Sequence, residues 1–161
     1  MTDPLWFEDL KVGMTFRSGE AVVDPEQVRS FAAEFDPQPF HLDEAAARAS
    51  RFGDLVASGW HTAAITMKLL VGSELRIAGG LIGLGVDELV WPAPVRPGDV
   101  LHAESQVLDS RPSRSGAPRG VVVMRTTTLN QEGTVVQQMT TKVLVPRRPV
   151  PDERAAIPSP S

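Results

Sequence analysis

Three histidines supply the side chains that titrate by nature near neutral pH. One of them closes the run Asp36-Pro37-Gln38-Pro39-Phe40-His41. A carboxylate and an imidazole aimed at one point can hold a water molecule and exchange protons with a substrate, which is what hydration or dehydration needs. Five fully extended residues span about 17 Å, so only a bent loop brings the two groups together. Two prolines restrict that loop and make a fixed bend natural. The spacing fits equally a chain in which Asp36 merely ends a helix and His41 packs locally.

A second group is Ala57-Ser58-Gly59-Trp60-His61, ahead of an apolar run. Backbone amides at a helix N-terminus attract a developing oxyanion, and Gly59 would let a substrate come close. The plainer reading has Ser58 capping the helix and His61 serving a polar neighbour. His102 falls in an alternating segment and reads as structural or exposed.

Composition removes several classes of function. With no cysteine there is no disulfide, thiolate metal site or cysteine nucleophile. The 16 basic and 20 acidic residues leave a net charge of −4, so no overall field favours nucleic acid. No H-E-x-x-H, P-loop or G-x-S-x-G pattern occurs, and no metal is expected. The glycines of Gly79-Gly80-Leu81-Ile82-Gly83-Leu84-Gly85 do not follow dinucleotide spacing. They read as close backbone approach to a buried helix. Arg111, Arg114 and Arg119 read as a solvated turn.

The elements that must position these residues are legible from their punctuation. Met14 to Val23 reads as a strand. Asp24 is a helix N-cap with Pro25 at the first helical position, and Val28, Phe31, Ala32 and Phe35 recur at helical spacing. Pro37 and Pro39 end that helix and start a loop, after which Asp43 caps a short helix over Glu44 to Ser50. Trp60 to Val71 is apolar nearly all round and predicts a buried helix, with Gly72 as its terminator. Leu81 to Trp91, Val100 to Leu108, Gly120 to Leu129 and Thr134 to Val145 read as four strands. Strands in series argue for an α+β domain whose antiparallel sheet wraps one apolar helix. At 161 residues a single domain over 1–146 is expected, with a proline-rich flexible tail at 147–161. The apolar stretches Ala57 to Met67 and Ile77 to Val86 fall short of the roughly 18 residues a bilayer requires. With no signal-like start, a cytoplasmic protein without membrane partners is expected.

Four segments together resemble a known family. They are Trp6 to Gly13, the loop Asp36 to His41 with Asp43, the stretch Arg51-Phe52-Gly53 to Ser58-Gly59, and Pro94-Val95-Arg96-Pro97-Gly98-Asp99. They are similar to the MaoC-like dehydratases, the (R)-specific enoyl-CoA hydratase group of hotdog-fold proteins, over roughly residues 5 to 146. The family's motif commonly reads D-x-N-P-x-H, and Asp36 and His41 fall on its catalytic pair. Gln38 stands where asparagine is usual, and Ser58 where a histidine often precedes the glycine.

The resemblance implies addition or removal of water across the 2,3 double bond of an enoyl-CoA thioester, giving a (3R)-hydroxyacyl product. Asp36 and His41 would be catalytic, and Gln38, Ser58, Gly59 and Trp60 would contact substrate. No cofactor is implied, coenzyme A being part of the substrate. A homodimer or an assembly of dimers would share acyl-CoA clefts. An acyl-CoA thioesterase and a non-catalytic acyl-CoA-binding protein are the alternatives on the same fold.

Overall fold

The computed structural model describes residues 2–151. After a 3-10 turn at Phe7–Asp9 come β1 (Thr15–Val22) and three helices, α1 (Pro25–Phe35), α2 (Pro39–Leu42) and α3 (Glu44–Ala49). The longer α4 (Gly59–Val71) follows, then β2 (Ile82–Val90), β3 (Val100–Pro112), β4 (Arg119–Leu129) and β5 (Val135–Pro146). The strands form one sheet in the order β1-β3-β4-β5-β2, antiparallel at every pairing. This is the α+β hotdog arrangement expected, a sheet wrapped round a helix.

The helix starts obey the capping rules. Asp24 accepts from the amides of Glu26 and Gln27, with Pro25 where a missing amide donor costs nothing. Asp43 accepts from the Ala46 amide to open α3, and Ser58 from the Trp60 amide to open α4. Inward residues of β4, such as Val122, Met124, Thr126 and Thr128, alternate with less buried ones, as one covered sheet face requires. One apolar cluster joins Val28, Leu55, Leu69, Leu101 and Met139 beneath the helices, and a second joins Phe7, Leu10, Val107, Val122 and Val145.

Five expectations need correction. Pro39 does not continue a loop but begins α2, because proline suits the first helical position, and His41 therefore lies on a helical turn. The β3–β4 hairpin runs longer than expected: a bulge at Leu108, between Val107 and Asp109, shifts the register by one, and Arg111 pairs with Val121. Arg111 is thus a strand residue, not part of a solvated turn.

Helix α4 is not buried all round. Thr62 and Thr66 are buried against the sheet while Trp60, Met67 and Val71 are exposed. Gly83 and Gly85 have nothing within 4 Å of where a Cβ would stand, so they do not serve close approach; they border an apolar cavity of about 320 Å³ between α4 and β2. At the C-terminal end, Arg147 and Arg148 are tied down. The Arg147 amide donates to the Pro118 carbonyl, and the Arg148 guanidinium donates to both carboxylate oxygens of Asp9. The remainder of the expected tail, from residue 152, lies outside the described residues. No helix among the described residues is long and apolar enough to cross a membrane.

Candidate active site

The bend between α1 and α2 brings the carboxylate and imidazole together. Asp36 caps the end of α1, its amide still donating to the Ala32 carbonyl, and the Gln38 amide turns back onto the Asp36 carbonyl at 2.7 Å. One turn of α2 then carries His41 inward. His41 Nε2 stands 3.2 Å from Asp36 Oδ2, and the ring is buried. Its Nδ1 lies 2.7 Å from the Val56 carbonyl oxygen, which can only accept, so Nδ1 carries a proton. Nε2 is left as the atom that can gain or lose one.

Asp36 is surrounded by donors. The Ser58 hydroxyl donates to Oδ2 at 2.7 Å and the Gln38 side-chain amide to Oδ1 at 2.7 Å. The Ser58 hydroxyl, then the Gln38 amide and His41, hold the carboxyl below its ordinary value against the opposing effect of burial. Gln38 thus reaches the carboxylate across two residues.

Ser58 is fully buried behind that carboxylate and does not face the cleft. Its oxygen accepts from the Trp60 amide while its hydrogen goes to Asp36, so one hydroxyl ties the start of α4 to the end of α1. The Gly59 amide has no partner among the described residues and lies at the positive end of α4.

Asp36, Gln38, His41, Gly59 and Trp60 all border one cleft of about 660 Å³. Trp91, to which no sequence pattern assigns a role, also lines it, beside Gly59 and Trp60. A Cβ at Gly59 would come within 2.6 Å of the Trp91 ring, so the glycine is required by the indole that lies on it. Trp91 Nε1 donates to the buried Gln137 side chain at 2.9 Å, and Trp60 meets the indole edge-on. Gln137 in turn donates to Thr66 Oγ1, 2.7 Å from Thr128 Oγ1. A tryptophan next to Pro92 and one of two adjacent glutamines in a strand, Gln137-Gln138, carry no sequence signal of this network.

His61 does not join the cleft. It stacks on Phe31 with centroids 4.8 Å apart, and its Nδ1 is buried without a hydrogen-bond partner among the described residues. Burial lowers its pKa. His102 lies beside Glu104 on β3, away from the cleft. Among the described residues no group of three or more histidine or acidic side chains could hold a metal ion.

Residues 9–132 match the model of the MaoC-like domain. The chain belongs to the MaoC-like dehydratase family. A solved MaoC-like dehydratase from Rhodospirillum rubrum superposes with a TM-score of 0.87 at 57% identity, covering 91% of this chain and 99% of that one. An uncharacterized protein of Bacillus subtilis (strain 168), YdeM, is 31% identical over 87% of this MaoC-like chain and 98% of its own length. A 3-hydroxybutyryl-CoA dehydratase of Methylorubrum extorquens is 32% identical over 70% of each chain.

Proposed function

We propose that this MaoC-like protein is a hydro-lyase that adds water to, or removes it from, a 2-enoyl-CoA thioester, with the (3R)-hydroxyacyl thioester as the hydrated form. The observation that carries the reading is the Asp36–His41 pair, 3.2 Å apart on the wall of a cleft, with the imidazole tautomer fixed by the Val56 carbonyl.

In this mechanism one water sits in the cleft within reach of both Asp36 and His41 Nε2, approaching the pair from the open side. Its oxygen bonds to C3 while a proton leaves it for the pair, and the pair delivers a proton to C2, so that water is added across the double bond. Charge that builds on the thioester oxygen faces the Gly59 amide at the α4 N-terminus, a fixed dipole that needs no reorganisation as the charge forms. Gln38 and Ser58 keep the carboxylate ionised and oriented, and Trp60 and Trp91 supply the apolar wall for the acyl group.

The working form is a homodimer. Strand β2 is a sheet edge, and Ile82, Leu84 and Val86 on it are exposed, with the half-exposed Met67 of α4 lining the same apolar cavity as Leu84 and Val86. An unpaired edge flanked by an apolar face is satisfied by a second copy across a two-fold axis. Such an interface buries at least roughly 1,000 Å² in total. Light scattering at micromolar concentration then gives about twice the 17.4 kDa chain mass; a fully active particle of one chain contradicts the dimer.

Crotonyl-CoA tests the reaction. Loss of the enoyl absorbance without release of free thiol supports the hydro-lyase. Thiol release in step with that loss marks a thioesterase, and binding without turnover a non-catalytic protein.

A further inference from the structure

Two arginines line the same cleft as Asp36 and His41, and the reaction proposed above uses neither. Arg51 is exposed on the tight turn after α3, where the Ser50 hydroxyl accepts from the Phe52 amide and the Gly53 amide donates to the Ser50 carbonyl. Arg96 is partly buried on the Pro94–Asp99 turn, where its amide donates to Asp99 Oδ2. Its guanidinium donates to the Phe52 carbonyl at 3.1 Å, which ties one turn to the other and sets Arg96 against the residue next to Arg51.

Among the described residues neither guanidinium has a carboxylate within ion-pair distance, although Arg29, Arg48, Arg111, Arg147 and Arg148 all do. The nearby acids are otherwise engaged. Asp99 accepts from the Arg96 amide and from Gln131, Asp54 from the Leu55 amide, and Asp36 from Ser58 and Gln38. Two neighbouring cations without counter-charge, one braced by a backbone carbonyl with most of its five donors still open, form a receptor for a phosphate oxyanion.

We propose that Arg51 and Arg96 bind a phosphate of the carrier that presents the acyl thioester, so that the cleft grips its substrate at a phosphate as well as at the acyl end. The inference rests on the thioester reading above and assigns it a recognition site. The shared chemistry is a phosphate ester joined to pantetheine. It is present both in coenzyme A and in the phosphopantetheine arm of a carrier protein.

The test compares crotonyl-CoA, crotonyl-phosphopantetheine and crotonyl-pantetheine as substrates for the full chain and for Arg51→Gln. Arg51 is exposed and makes no side-chain hydrogen bond among the described residues, so its replacement leaves the fold in place. The expected result is a KM for crotonyl-CoA raised about tenfold or more, the scale of a lost hydrogen bond to a charged group, with kcat within about twofold. The constants for crotonyl-pantetheine, which has no phosphate, stay put. A KM rise that persists on crotonyl-phosphopantetheine assigns the site to the phosphate next to pantetheine; a rise confined to crotonyl-CoA assigns it to the nucleotide phosphates. No rise, or an equal rise on all three substrates, overturns the proposal.

A wild-type chain that turns over none of the three removes the proposed reaction but not this site. Calorimetric titration with coenzyme A then decides. Binding that weakens about tenfold in Arg51→Gln and with added salt supports it, and absent or unchanged binding overturns it. Arg96→Lys, which keeps the charge but loses the guanidinium hydrogen bond to the Phe52 carbonyl, is expected to show a smaller rise in the same direction.

Discussion

Two buried histidines lie within one small region of this protein, and their surroundings differ in every respect that matters for chemistry. His41 has one ring nitrogen on a carbonyl and the other facing an ionised carboxylate at the edge of a cleft. His61 has an apolar aromatic face against it and a nitrogen with no partner among the described residues. Burial alone does not make a histidine functional. What does is a fixed tautomer, a neighbouring group that can trade a proton, and access for the substrate.

The sharpest way to break the contrast is at His41. His41→Gln keeps a polar side chain but cannot cycle a proton, and a loss of about 10²-fold or more in kcat is expected, read by enoyl absorbance beside a melting curve. The next effect is at Ser58, the donor that most strongly depresses Asp36. Ser58→Ala removes a hydrogen bond to a charged group, and turnover is expected to fall about tenfold. The change has a pH signature. A depressed carboxyl contributes stability that is present above its unfolded value and is lost as pH falls through the folded value. In Ser58→Ala the folded value moves up towards the ordinary one, so the stability tied to this carboxyl shrinks at neutral pH and the parent's advantage over the variant narrows as pH falls through the acid range, which melting curves of the two proteins at stepped pH measure.

Gly59→Val drives a side chain into the Trp91 indole, which Gln137 and Trp60 hold in place. About 1–3 kcal/mol of stability should go with it, so thermal melting must fall together with activity. An active variant with an unchanged melting temperature contradicts the packing described. His61→Phe keeps the stack on Phe31 and removes the orphaned nitrogen, and it should leave turnover within about twofold because His61 stays clear of the cleft. Since burial lowers the His61 pKa, protonation favours the unfolded chain as pH falls below the ordinary imidazole value. The variant therefore gains melting temperature over the parent at mildly acidic pH, and less or nothing above neutrality.

Much of this was legible in the sequence where a single residue type dictates a local geometry. Asp24 with Pro25, Asp43 and Ser58 announce helix starts because a side-chain oxygen there meets bare amides. Asp36 and His41 are marked as a proton-handling pair by the family motif they fall on, their spacing alone leaving a structural role open. What stayed hidden depends on contacts across the chain. That Pro39 starts a helix and does not prolong a loop follows from the turn of Gln38 back onto Asp36. Ser58 reads as a cap, yet its hydrogen serves a carboxylate 22 residues earlier. Trp91 and Gln137 matter because strand pairing sets them beside α4, and no local pattern encodes that. The apolar outer face of α4 read as core because periodicity counts hydrophobic residues without saying which partner covers them.

The central claim is that Asp36 and His41 together move the protons of hydration. Asp36→Asn tests it most directly, since the amide is nearly isosteric with the carboxylate, leaves the loop's shape available and cannot take a proton. With crotonyl-CoA, and with folding verified by circular dichroism, the rate of enoyl absorbance loss should fall about 10²-fold or more. A folded Asp36→Asn protein that hydrates crotonyl-CoA within a few-fold of the parent rate would contradict the account.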